Sequence, residues 1–131
     1  MNNKPVLIAE IGCNHMGEID IAKQFIDTAR NFCEIEHVKF QKRNNKELLS
    51  DKQYNEPHPI SENSYGETYG LHREYLEFDI EVHSQLKEYC EKLGITYSSS
   101  VWDLTSAKEL CSLDPKYIKI PSATNTNYEL L

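Results

Sequence analysis

The chain has 131 residues, 39 percent of them apolar, which suits one ordinary domain with its own core. Acidic residues outnumber basic ones, 21 to 14, for a formal charge of −7. That balance argues against nucleic acid or an anionic membrane surface as partner, since both require a positive footprint. It leaves room for a small anionic substrate, because a few lysines can line a site in an acidic protein.

No apolar run approaches the ~20 residues of a membrane span. The opening MNNKPVLIAEIG is too short and too charged for a secretory signal, so the expected location is the cytoplasm. The cysteines, Cys13, Cys33, Cys90 and Cys111, form no CxxC pair and no Cys/His cluster. Reduced thiols are expected, with Cys33, Cys90 and Cys111 on apolar helix faces as small hydrophobes.

In chain order, Val6 to Ile11 reads as a buried strand, followed by the turn from Gly12 to Gly17. Ala22, Phe25, Ile26 and Ala29 recur at helical spacing, with Cys33 one turn on. His37 to Gln41 is a second strand. Residues 42–78 are polar, contain Pro57, Pro59, Tyr54, Tyr65, Tyr69 and Tyr75, and read as a loop with one helical piece near Leu71 to Leu76. Val82, Leu86, Tyr89, Cys90 and Leu93 mark a second helix stopped by Gly94. Ile95 to Val101 is a third strand, and Asp103 caps a third helix carrying Leu104, Ala107, Leu110 and Cys111. Tyr117 to Pro121 is a fourth strand, and Asn127 to Leu131 looks like the start of another helix.

The order βαβαβαβ with apolar strands implies a parallel sheet covered by helices. An open doubly wound sheet and part of a (β/α)₈ barrel both fit; nothing after Gly12 forms a dinucleotide GxGxxG fingerprint. A complete barrel takes about 250 residues, so on that architecture the chain holds about four βα units, a first half. The expectation is then a fragment or a truncated reading frame, with residues 1–131 as the N-terminal part of the barrel.

Sites in parallel α/β sheets form at the carboxyl ends of strands. Strand one offers Glu10, then Asn14 and His15; strand two Lys39 and Gln41; strand three Ser99 and Ser100; strand four Lys119 and then Ser122. Alternation puts Lys39 and Gln41 on one face of strand two, with Val38 and Phe40 on the other. If Val38 and Phe40 meet helices, the lysines point inward, where an ammonium is costly unless paired or bound to an anion. Two lysines and a hydroxyl suit a phosphate plus a carboxylate; a carboxylate among them can act as base or orient a sugar hydroxyl. A single such Lys reads better as an edge or surface residue; two in equivalent settings, with Glu10 on a third strand, point to a site. His15 fits an acid/base or ligand role as well as a turn histidine bonded to backbone. His83 reads as a capping or surface residue, Glu77 to Glu81 as a solvated helix start, and Trp102 as a rim residue or a stacking surface. His58 and His72 show no metal spacing. The loop tyrosines fit a lid over a sugar, or equally packing on the scaffold or on a partner subunit.

Four segments, AEIGCNHMGEIDIAK (Ala9 to Lys23), VKFQ (Val38 to Gln41), YCEKLGITYSSSVWD (Tyr89 to Asp103) and YIKIPSATNTNYELL (Tyr117 to Leu131), occur in an order and spacing that resemble the N-acetylneuraminate (sialic acid) synthase family. The resemblance implies a (β/α)₈ barrel followed by a small antifreeze-protein-like domain that reaches over the partner in a homodimer. It implies condensation of phosphoenolpyruvate with an N-acetylmannosamine-type aldehyde, with release of phosphate. It implies a divalent cofactor, Mn²⁺ or Mg²⁺, polarising the aldehyde oxygen, with ligands in the second half of the barrel and none in this chain. Residue by residue, it makes Glu10, Lys39 and Lys119 catalytic, and Gln41, Ser100 and Ser122 substrate-binding; Asn127 matches a later motif position with no assigned role. The chain departs from the family at Thr124, where many members carry an acidic residue, and at Val101-Trp102, where Pro-Phe is usual. Set beside the enzyme reading is a non-catalytic truncated synthase that binds a ligand or a partner chain.

Overall fold

The structure is a computed structural model and describes residues 5–131, so the first four residues of the opening stretch lie outside the described residues. Three parallel strands form the sheet, in the order β1 (Ile8–Gly12), β2 (His37–Lys42), β3 (Thr96–Val101). Glu10 stands opposite Lys39, Lys39 opposite Ser98, and Gln41 opposite Ser100. A register shift between Glu10 and Gly12 bends the end of β1.

Helices cover one face. In α1 (Ile19–Asn31), Ala22, Ile26 and Ala29 recur three and four apart and are all buried. Helices α2 (Asn45–Leu48), α3 (Asp51–Asn55) and α4 (Tyr69–Tyr75) are short. In α5 (Ile80–Lys92) the Asp79 carboxylate accepts the N–H of Val82 at 2.9 Å, and Gly94 ends the helix at φ +66°. In α6 (Leu104–Ser112) the Asp103 carboxylate accepts from the Ser106 N–H at 2.7 Å, as its spacing predicts. Helix α1 packs on β1, and α5 and α6 pack on β3. The core between these helices and the sheet is built on Val38, Phe40, Ile26, Leu86, Tyr97, Val101 and Leu110.

Several expectations change. The fourth strand, Tyr117 to Pro121, is reduced to one bridge, Ser100 to Lys119; the Lys119 N–H donates to Ser99 O at 3.1 Å and the Val101 N–H donates to Lys119 O at 3.1 Å. The register is that of a fourth parallel strand, but two backbone bonds do not hold a longer ladder. Asn127 to Leu131 is a turn in which the Asn127 side chain takes the N–H groups of Glu129 and Leu130, in place of a helix start. The first strand is no buried strand: Val6, Leu7 and Ile8 are exposed, because β1 pairs with β2 on one edge alone among the described residues. The polar stretch before α5 holds three short helices and a 3₁₀ turn at Ser61–Asn63, where one helical piece is expected. Only Cys90 of the helix cysteines is buried; Cys33 and Cys111 are exposed.

Candidate active site at the carboxyl ends of the strands

The pleat decides which side chains meet. Val38 and Phe40 turn into the core and are fully buried, so Lys39 turns to the opposite face with Glu10 and Ser100. Lys39 is 8 % exposed, a cost that a lysine bears only with partners. Its Nζ pairs with Glu10 Oε2 and donates to Ser100 Oγ at 3.4 Å. Burial first, and then the nearby Lys119 ammonium, hold Lys39 below the ordinary lysine range. Two ammonium groups therefore stand near one another at the strand ends of an acidic protein, one of them paired with Glu10. Glu10 itself is about half exposed, so its carboxylate can exchange Lys39 for another partner.

Gln41 joins the group through Gly12. A Cβ added at Gly12 would stand 3.2 Å from Gln41 Nε2 and 3.7 Å from Glu10 Oε1. Gly12 also has φ +59°, which other residues adopt only with strain. Glu10, Lys39, Gln41 and Ser100 thus form one cluster, with Lys119 close enough to be felt. Lys119 and Ser122 are exposed, with the Lys119 charge still near enough to act on Lys39. Ser122 sits on a 3₁₀ turn, Ser122–Thr124, and makes no side-chain hydrogen bond among the described residues.

Other residues are missed by sequence reasoning. Arg43, just past β2, donates through Nε and Nη2 to Glu77 Oε1, while its backbone N–H donates to Glu77 Oε2 at 3.1 Å and Nη2 reaches Cys13 Sγ at 3.2 Å. Both side chains are nearly buried (13 % and 10 %), so Glu77 is not the solvated residue expected; burial raises its pKa against the pull of Arg43. This fork ties the turn after β1 to the segment after β2. The only sequence signal was charge at both positions, 34 residues apart. Lys42 pairs with Glu109 of α6 at 2.7 Å on the helix side. The N–H of Asn44 donates to the Asp103 carboxylate at 2.7 Å, joining the ends of β2 and β3.

The histidines divide. His15 is buried in the turn with Nδ1 accepting the Gly17 N–H at 3.1 Å, which is the backbone-bonded alternative. His83 is no surface cap: it is fully buried, with Nδ1 2.6 Å from Tyr97 Oη, and burial drives its pKa down to about 3. The loop aromatics stack on one another, Tyr65 on Tyr75 at 4.9 Å and Tyr65 on His72 at 5.7 Å, which is scaffold packing. Trp102 has its Nε1 buried without a partner among the described residues. Among those residues no three of His, Cys, Asp and Glu converge to hold a metal ion. These side chains do not by themselves fit a divalent-cation site.

The NeuB family matches residues 25–131, most of the chain. The chain belongs to the NeuB family. It is 35% identical over 125 residues to an N-acetylneuraminate-9-phosphate synthase of Mus musculus, 95% of this chain and 34% of that one. It is 33% identical over 128 residues to an N,N'-diacetyllegionaminic acid synthase of Campylobacter jejuni, 98% of this chain and 38% of that one. Among solved structures, the N-acetylneuraminic acid (sialic acid) synthetase of Leptospira borgpetersenii in complex with citrate superposes with a TM-score of 0.77 at 26% identity, over 98% of this chain and 40% of that one. This NeuB-family chain spans about a third of the length of the curated relatives it matches. Its relatives are synthases of sialic acid and related acids, and its α/β fold with a parallel sheet is theirs. No helix among the described residues is long and apolar enough to cross a membrane.

Proposed function

We propose that this chain forms the phosphoenolpyruvate-binding part of a cytoplasmic nonulosonate synthase, on the first half of a (β/α)₈ barrel. The observation that carries the reading is the buried Lys39 ammonium, held between Glu10 and Ser100 with the Lys119 charge beside it. Two ammonium groups and a hydroxyl complement a ligand with both a carboxylate and a phosphate. When the ligand takes Lys39, the Glu10 carboxylate loses its ion pair and is free to accept a proton from water or a sugar hydroxyl. Gln41, beside Glu10 across Gly12, has the donor and acceptor to orient the amino-sugar aldehyde. Ser122 would join as Tyr117 to Pro121 settles against a bound anion.

The proposed reaction balances as follows. The CH₂ carbon of phosphoenolpyruvate bonds to the aldehyde carbon, and the aldehyde oxygen becomes a hydroxyl. Water supplies the new oxygen at the former enol carbon, and phosphate leaves with the bridging oxygen. The two protons of water end on the new hydroxyl and on phosphate. N-acetylmannosamine or a relative is the proposed acceptor. Mn²⁺ or Mg²⁺ polarisation of the acceptor, and homodimerisation, belong to the full length that the relatives have. The reading assigns to this chain binding rather than turnover.

The test is titration of phosphoenolpyruvate followed by ³¹P resonance, with phosphate release measured in parallel with N-acetylmannosamine and Mn²⁺. Lys39→Met is expected to weaken binding about 100-fold, as for loss of a charged hydrogen bond. A folded chain that ignores phosphoenolpyruvate, or a Lys39→Met chain that binds it as well, refutes the reading. Phosphate release by the chain alone overturns the assignment of turnover to groups elsewhere.

A further inference from the structure

The pairing under the strand-end cluster is regular except at one point. From His37 to Lys42, β2 pairs with β3 residue for residue. Along β1, Glu10 pairs with Lys39, but Gly12 pairs with Phe40, so Ile11 is an extra residue. A bulge of this kind breaks the ladder and re-aims the residues beyond it. The Ile11 carbonyl is taken up by the turn, where it accepts the Asn14 N–H at 3.1 Å and Asn14 Nδ2 at 2.8 Å. β1 has no second neighbour among the described residues, so its other edge does not hold the bulge either. Yet Gly12, at the far side of the bulge, is the residue that lies against both Gln41 Nε2 and Glu10 Oε1.

One side chain supplies the missing tie. Arg43 stands two residues beyond Gln41, and its Nη2 donates to Sγ of Cys13, the residue after Gly12, at 3.2 Å. Glu77 sets the direction of that reach. Its nearly buried carboxylate accepts from Arg43 Nε and Nη2 and, at 3.1 Å, from the Arg43 backbone N–H, so one group fixes both guanidinium and main chain. Burial, the largest influence, raises the Cys13 pKa to about 11, so the sulfur meets Arg43 as a neutral thiol.

We propose that Arg43, oriented by Glu77, is a positioning residue of the strand-end site: by bonding Cys13 it ties the bulged end of β1 to the end of β2 and holds Gly12 against the Gln41 side chain. Glu10, Lys39, Gln41 and Ser100 have their backbones on the regular part of the ladder. Only Gly12 lies past the bulge, so the tie bears on the Gln41 amide more than on the Lys39 ammonium. The consequence for binding rests on the reading of Gln41 as the group that orients the amino-sugar aldehyde; the geometry does not.

Removing Arg43 strands the Glu77 carboxylate and endangers the fold, so the test is made at Cys13, which leaves that ion pair whole. Cys13→Ala removes the sulfur, and Cys13→Ser returns an acceptor. The Gln41 side-chain amide resonances are followed by NMR in the full chain, together with the affinities for N-acetylmannosamine and phosphoenolpyruvate. Cys13→Ala is expected to shift the Gln41 resonances and to weaken N-acetylmannosamine about fivefold, as for loss of one modest hydrogen bond, with a smaller loss for phosphoenolpyruvate. Cys13→Ser is expected to restore the Gln41 resonances and to bind within about twofold of the parent chain. Unmoved Gln41 resonances in Cys13→Ala overturn the proposal and make Arg43 and Glu77 a structural pair only. Equal losses for the two ligands overturn it as a general loosening. A Cys13→Ser chain that behaves as Cys13→Ala overturns it too. If the parent chain does not bind N-acetylmannosamine, the role given to Gln41 in the function reading fails, while its resonances still decide the role of Arg43.

Discussion

Acid should unfold this protein over a window set by two buried histidines. His15 and His83 have folded pKa values of about 4 and about 3, both well below the ordinary 6.5, and burial is the largest cause of each. Above pH 6.5 the rings are neutral in both states and nothing is lost. Below it the unfolded chain binds protons that the folded chain refuses, so stability falls with pH. Each ring costs about 1.36 kcal/mol per pH unit until its folded value is reached. At pH 5 the pair together removes about 4 kcal/mol, a large share of the roughly 5–15 kcal/mol that holds a domain. His72, also lowered by burial but more exposed, adds to the same side. Glu77, raised by burial, opposes it. Urea unfolding at pH 7.5, 6 and 5 measures the slope in the parent chain and in His83→Gln. The slope should be about half as steep in the variant, whatever its absolute stability. A midpoint that holds steady from pH 7.5 to 5, or an unchanged slope in His83→Gln, refutes the argument that these rings are buried and neutral.

Two further substitutions test the geometry around the cluster. Gly12→Ala should cost about 1–2 kcal/mol of stability for its left-handed backbone, and should weaken phosphoenolpyruvate binding as the new methyl pushes on Gln41; calorimetric titration of a folded variant with parent affinity would contradict the crowding at 3.2 Å. Arg43→Lys keeps the charge but loses the fork to Glu77 and the reach to Cys13, and should lower stability in urea by about 2 kcal/mol; a loss under about 0.5 kcal/mol would mean the pair behaves as an exposed one.

The local rules of the chain were open to reading without coordinates. Alternation alone assigns Val38 and Phe40 to the core and Lys39 to the opposite face, because a pleated strand has a period of two. Asp103 before Leu104 announces a helix start, and the carboxylate does cap it. Glu10, Lys39, Gln41 and Ser100 were identifiable as strand-end groups, and parallel pairing in register does bring them together. Where the readings failed, the cause lay in partners distant in the chain. Glu77 looks solvated until Arg43 folds over it. His83 looks like a cap until Tyr97 meets its ring and Phe78 packs edge-on. Tyr117 to Pro121 has the composition of a strand, yet strand length depends on a neighbouring ladder, and among the described residues only the backbones of Ser99 and Val101 make ladder bonds to it. The sequence by itself determined the alternation of the three strands with the helices α1, α5 and α6, the faces of the strands and the family. The tertiary structure decided which charges pair, which histidines stay neutral and which lysine is buried, because burial and pairing are set by residues that local pattern does not connect.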